Sequence, residues 1–186
     1  MRCRARMLFA ACLLAAVAGL SVEAADTADT DAPRLLVLDL ELIGDLGGGA
    51  FASEHAARLE RANDRLKAEL ARTGLYRIVD DTPLRPRIEE LQRRESLREC
   101  NGCELDLARE LGAGQIFVPW VYRVSNLILT LNYEIRDAAT GAVVARKSFD
   151  FRGDNDAAWD RAIAYMVRDL CSTATASGRN APAGCR

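Results

Sequence analysis

A chain of 186 residues with 25 basic and 27 acidic side chains carries a formal net charge of −2. That balance excludes the basic footprint a nucleic-acid-binding surface needs. With 49% apolar residues, the chain holds enough material for one domain with its own core.

The amino-terminal stretch carries Arg2, Arg4 and Arg6, then an apolar run from Met7 to Leu20, then small residues around Val22-Glu23-Ala24. This three-part layout predicts a cleavable secretory signal over residues 1–24 and hence a periplasmic product. The apolar run is short for a bilayer, which needs about 20 such residues, so no stable membrane span is expected after cleavage. Lipid attachment at Cys12 is disfavoured, because Phe9 fits that motif poorly and little apolar core precedes it. Cleavage would leave 22 basic and 26 acidic residues, a net charge of −4, once Arg2, Arg4, Arg6 and Glu23 are removed.

Residues 25–33 are polar and rich in Ala, Asp and Thr, the composition of a flexible linker. Leu35 to Leu42 reads as a strand with little polar interruption, which belongs centrally in a sheet. A glycine-rich loop, Gly44 to Ala50, follows. Ser53 is placed to cap a helix from Glu54, with Leu59, Ala62, Leu66 and Leu70 as its apolar stripe and Gly74 as its terminator. Leu75 to Val79 is a second strand, giving a strand–helix–strand unit with a parallel crossover. After the turn-rich Asp80 to Pro86, a helix over Arg87 to Glu99 offers Ile88, Leu91 and Leu97 for burial. Its alternating arginines and glutamates describe a solvated face. Cys100-Asn101-Gly102-Cys103 makes a turn into a short helix, Glu104 to Leu111, that buries Leu107, Ala108 and Leu111.

Three strands come next. Ile116 to Val124 is apolar on both faces, with Pro119 marking a bulge or strand end. In the middle strand Leu127, Leu129, Leu131, Tyr133 and Ile135 alternate with Ile128, Thr130, Asn132, Glu134 and Arg136, one face buried and one mostly wet. In Val143 to Phe151, Val143, Ala145, Phe149 and Phe151 share a side that Lys147 interrupts, as at a charge-guarded edge. Short turns at Ser125-Asn126 and Asp137–Gly141 make the three antiparallel neighbours. Asp154 or Asn155 caps a final helix striped by Trp159, Ala162, Ile163, Met166 and Leu170, and residues 172–186 have the composition of a tail. The predicted order is β-α-β-α-α-β-β-β-α, an α/β fold with a mixed sheet packed by helices, forming a single domain over residues 34–171.

Several stretches carry a resemblance: the Leu35–Glu41 strand with its glycine loop, Tyr76-Arg77-Ile78-Val79-Asp80, Cys100-x-x-Cys103, Leu111-Gly112-Ala113, Asp137-Ala138-Ala139-Thr140-Gly141, and Arg152-Gly153-Asp154 before Trp159. Together they resemble an uncharacterised family of exported bacterial domains, periplasmic or lipoprotein in character. The wider architecture is similar to the N-terminal domain of TolB and the periplasmic domain of the curli secretion protein CsgG. Gly114 stands where CsgG-like chains often carry an acidic residue. The resemblance implies a fold and an envelope setting. It does not extend to pore formation or peptidoglycan transport.

Cys3 and Cys12 would leave with the signal, so Cys100, Cys103, Cys171 and Cys185 remain. An even number in an exported chain predicts disulfides, and the local pairs Cys100–Cys103 and Cys171–Cys185 are preferred. A cysteine at a helix start can also support thiol–disulfide exchange, so a redox role for Cys100 and Cys103 is the alternative. Position 104 is Glu rather than His, which excludes covalent haem attachment. The glycine loop, with Gly44, Asp45, Gly47, Gly48 and Gly49, is a possible ligand loop at a strand's carboxyl end. It lacks the Lys-Ser/Thr of a phosphate loop. His55 reads as a helix-surface residue, and core packing accounts for Trp120, Tyr122 and Trp159. Glu41, Asp45, Asp80 and Asp81 could gather at strand ends, but no metal and no cofactor are expected. The functional expectation is a non-enzymatic binding or assembly accessory of the cell envelope with an envelope protein as partner.

Overall fold

The computed structural model describes residues 32–178 and 182–185. The predicted signal and nearly all of the predicted linker lie outside them. Ten main elements follow in order: β1 (Arg34–Val37), β2 (Glu41–Gly44), α1 (Ala52–Thr73), β3 (Arg77–Ile78), α2 (Arg85–Arg94), α3 (Cys103–Glu110), β4 (Gln115–Arg123), β5 (Ile128–Asp137), β6 (Val143–Arg152) and α4 (Asp156–Ala176). The sheet runs β3-β1-β4-β5-β6, with β2 also on β4. β1 pairs in parallel with β3 and β4, and β4, β5 and β6 form an antiparallel meander. The α/β mixed sheet expected from the element order is therefore present.

Helices cover both faces. Leu35 and Val37 enter one core with α1 and α4, while Leu36 and Leu38 enter the other with α2 and α3. A strand buried on both sides cannot alternate, which is why Leu35 to Leu38 reads as an unbroken apolar run. The predicted strand Leu35 to Leu42 is split, however. Val37 lies opposite Phe117 and Glu41 opposite Trp120, so three residues on one side face two on the other. Leu38 N donates to Phe117 O at 3.0 Å and Asp45 N to Arg123 O at 2.9 Å. Strand alternation turns Pro119 toward the same ladder. Its missing N–H thus falls in the gap that the extra residue opens.

Leu129, Leu131, Tyr133 and Ile135 are all buried, as the middle-strand register requires, while Leu127 sits in the turn before β5 and is 64% exposed. The face expected to be wet also differs: Asn132 and Glu134 are buried. On that side α2 and α3 reach only the first half of β4. Trp120 is half-buried under the Arg98 guanidinium, 5.3 Å from its ring, and Tyr122 is exposed, so core packing describes Trp159 alone. β6 is an edge strand, with a register shift opposite Ile135 and Arg136 that leaves Val143 exposed.

Helix ends depart from expectation in places. α1 begins at Ala52 behind a short 3-10 turn, and Ser53 lies inside it rather than capping it. Gly74 ends it at φ 69°, where a left-handed residue is needed. Asn155 caps α4 by accepting from Ala158 N at 3.0 Å, and the helix continues to Ala176, past the start of the predicted tail. Among the described residues no helix is long and apolar enough to cross a membrane.

The register makes a sharp distinction between neighbouring leucines. Leu131→Ala should cost about 3 kcal/mol of unfolding free energy. Leu127→Ala should stay within about 0.5 kcal/mol of the parent. Urea denaturation of the oxidised protein followed by tryptophan fluorescence measures both, and equal losses would show the register to be wrong.

Candidate functional site

Beneath the glycine loop, the start of α1, the end of β4 and the start of α4 meet at one carboxylate. The Asp154 side chain is 5% exposed, and its Oδ1 accepts from Arg58 Nη1 at 3.0 Å and Trp159 Nε1 at 3.1 Å. Its Oδ2 accepts from Arg123 Nε at 2.7 Å and lies 3.4 Å from His55 Nε2. Arg58 also reaches Glu54 at 2.6 Å and Asp156 at 3.1 Å. Burial alone would raise the Asp154 carboxyl; hydrogen bonds from Arg123 and Trp159 and the charge of Arg58 outweigh it and hold the group below the usual carboxylate range.

His55 is therefore buried, not on the helix surface, and stacks on Phe51 with ring centroids 6.3 Å apart. The signal for this cluster was present in the sequence. Counting back from Leu70, Leu66 and Ala62, the buried stripe of α1 continues through Arg58 and His55. A charge in a core-facing position calls for a partner, and Asp154 is that partner.

The predicted ligand-loop residues sit directly above. Gly44 closes β2 at φ 100°, and a Cβ there would run into the Arg123 carbonyl, so only glycine fits. Asp45 is tied at both ends: its Oδ1 accepts from Gly47 N at 2.9 Å, and its carbonyl accepts from Arg123 Nη1. Gly47, Gly48 and Gly49 are exposed, and added Cβ atoms on the last two would meet nothing. Arg123 thus joins the loop to the Asp154 cluster, leaving its tip in solvent.

The second candidate surrounds Cys100 and Cys103, which lie at disulfide distance with Cα atoms 5.7 Å apart. Cys100 is buried, and its sulfur is 3.3 Å from a Glu104 carboxylate oxygen. Glu104 is itself buried and takes Arg136 Nη1 at 2.6 Å, and Arg136 in turn reaches Glu134 at 2.8 Å. Arg136 therefore links the centre of the sheet to the cysteine corner. Both cysteine sulfurs and Glu104 lie within 4.8 Å of one another, the one such donor group among the described residues. Sulfurs joined to each other have no thiolate to offer a metal.

Cys171 and Cys185 also lie at disulfide distance, with Cα atoms 5.4 Å apart. The four carboxylates considered for a metal are not brought together as a set. Asp81 joins Asp39, Lys67 and Arg85. Glu41 accepts from Ser96, Asp80 from Thr82, and Asp45 holds its own loop.

Residues 33–170 match the DUF3280 family, described as "Protein of unknown function (DUF2380)". None of the curated proteins matches. Among solved structures, the chain is similar to the C-terminal domain of LpoB from Salmonella enterica, with 19% identity and a TM-score of 0.45 over 64% of this chain and 82% of that one. It is similar to lipoprotein GNA1162 from Neisseria meningitidis, with 12% identity and a TM-score of 0.42 over 75% of this chain and 99% of that one. TolB from Acinetobacter baumannii shares 9% identity and a TM-score of 0.44 over 79% of this chain and 29% of its own. Likenesses of this size carry no functional argument.

The Asp154 cluster has a pH signature. Its folded-state pKa lies below the unfolded value, so its stabilisation is complete above about pH 4 to 5 and is lost as pH falls through the lower folded pKa. Asp154→Asn should cost on the order of 3 kcal/mol at neutral pH by leaving Arg123 without a carboxylate and Arg58 with only Glu54 and Asp156, and should flatten the acid limb of stability against pH. Denaturation midpoints between pH 2 and 7 check this; an unchanged acid limb would overturn the assignment.

Proposed function

The chain belongs to the DUF3280 family, and from that premise we propose that it is an exported, non-enzymatic binding or assembly domain of the bacterial cell envelope, working in the periplasm by docking an envelope protein. The observation that carries the reading is the placement of its cysteines. Both local pairs sit at disulfide distance. Cys100 and Cys103 brace the corner between α2 and α3, and Cys185 holds the end of the chain to α4. Disulfide staples belong to an oxidising compartment, which is also where a cleavable signal leads.

The charged clusters support a binding role over a catalytic one. Asp154, Glu104 and Glu134 are engaged by arginines, and Asp39 and Asp81 share Lys67 and Arg85. Carboxylates held this way join secondary-structure elements and are occupied by structural partners, whereas a general acid or base must be free to reach a substrate proton.

Peptide mapping without reductant should recover Cys100 joined to Cys103 and Cys171 joined to Cys185. Replacing Cys171 and Cys185 by serine should lower stability by about 3 kcal/mol, the value for a loop of that length. Crosslinking in intact cells should join the protein to a defined envelope protein; turnover of a substrate by the purified chain, or no crosslinked partner, would overturn the reading.

A further inference from the structure

The longest open sheet edge is β6, and a groove of about 730 Å³ runs between it and α4. Its floor is apolar and its rim basic. Phe149 and Phe151 come from the strand, Tyr165 from the helix, and Arg152, Arg161 and Arg168 surround them. The floor extends an aromatic row through the sheet: Phe117 to Tyr133 at 5.1 Å, Tyr133 to Phe149 at 6.2 Å, and Phe149 to Tyr165 at 5.5 Å. The row ends in the open, since Tyr165 is 54% exposed with the Arg168 guanidinium 5.8 Å from its ring.

The three arginines stand apart from the others on this surface. Among the described residues none of them has a carboxylate partner, although α4 has carboxylates of its own. Asp156 is taken by Arg58 and Arg61, Asp160 by Arg65, and Asp169 by Lys147. Asp150, at the groove's edge, bonds Thr130 on β5 at 2.8 Å. Lys147, the charge expected to guard the edge, is folded onto α4 with Asp169 at 2.6 Å and Thr173 at 3.1 Å. Among the described residues the edge backbone thus lies open beside an apolar trough whose rim carries three arginines and one carboxylate, Asp150.

We propose that β6 and this groove form a docking site for an extended, acidic segment of a partner protein, which adds a strand to the sheet edge. Main-chain hydrogen bonds to β6 supply affinity. Alternate side chains of the added strand face the trough, where an apolar residue meets Phe149 and Tyr165 and carboxylates meet Arg161 and Arg168. The arginines also argue against a second copy as occupant. A second copy pairing edge to edge would offer the strand Val143–Arg152 itself, with Arg146, Lys147 and Arg152 against the single carboxylate of Asp150, which like-charge repulsion opposes. The proposal rests on the binding-domain reading and gives it a site and a partner chemistry.

The probe is a displayed library of random twelve-residue peptides selected on the oxidised full chain. Enriched peptides should carry carboxylates and an apolar residue at every second position, so that all of them face the trough, and their binding should weaken steeply with salt. Arg161 and Arg168 are exposed, so their replacement leaves the core intact. Arg161→Glu with Arg168→Glu should weaken binding at least roughly tenfold, while the double lysine variant keeps most of it. Bound peptide should slow hydrogen exchange of amides within Val143–Arg152. Neutral or basic consensus peptides, indifference to charge reversal, protection elsewhere, no enrichment, or a dimer that occupies the edge would each overturn the site. The in-cell crosslink is read separately, so a partner held on another face would sink this inference and leave the binding role standing.

Discussion

The molecule depends on β4 being hydrogen-bonded along both edges at once. On one side it holds β1 and β2 in parallel, and on the other it begins the antiparallel meander with β5. A proline in so central a strand would normally cost a ladder bond. Here the loss coincides with the extra residue between β1 and β2, so the two irregularities occupy one place. That break turns Glu41 to Gly44 into a separate strand and sets the glycine loop above the end of β4.

Polar burial is the second organising feature. Glu104 and Glu134 are buried and the Asp154 side chain is nearly so, each with arginine contacts. Such groups contribute little net stability over apolar replacements, but removing one partner is expensive because the other stays buried. They therefore act as locks on relative placement. Asp154 locks the two helices of one layer to the end of β4. Arg136 locks the sheet to the cysteine corner on the opposite layer.

The outer edge follows a different logic from this interior. Inside, nearly every charge is matched. Along β6 and the neighbouring face of α4, aromatic surface and arginines without a carboxylate partner among the described residues lie together beside a strand edge left open by those residues. A binding module of the kind proposed needs a place where its own contacts are left incomplete, and this edge has that character.

Residues that obey a period were legible without coordinates. The meander, the stripes of α1 and α4, the Asp137–Gly141 turn and the edge position of β6 all follow from alternation, helical spacing and turn chemistry, which are local properties of the chain. Leu127 escaped because period two continues on paper into a turn where the strand has ended. His55 and Arg58 escaped because a polar residue on an apolar stripe is explained only by what faces it, and Asp154 lies about a hundred positions away. The buried side of Glu134 and Asn132, the half-covered Trp120, and the gathering of three arginines on one groove are equally matters of which elements become neighbours. Spacing along a chain determines which way side chains face; only the packed structure decides what they face.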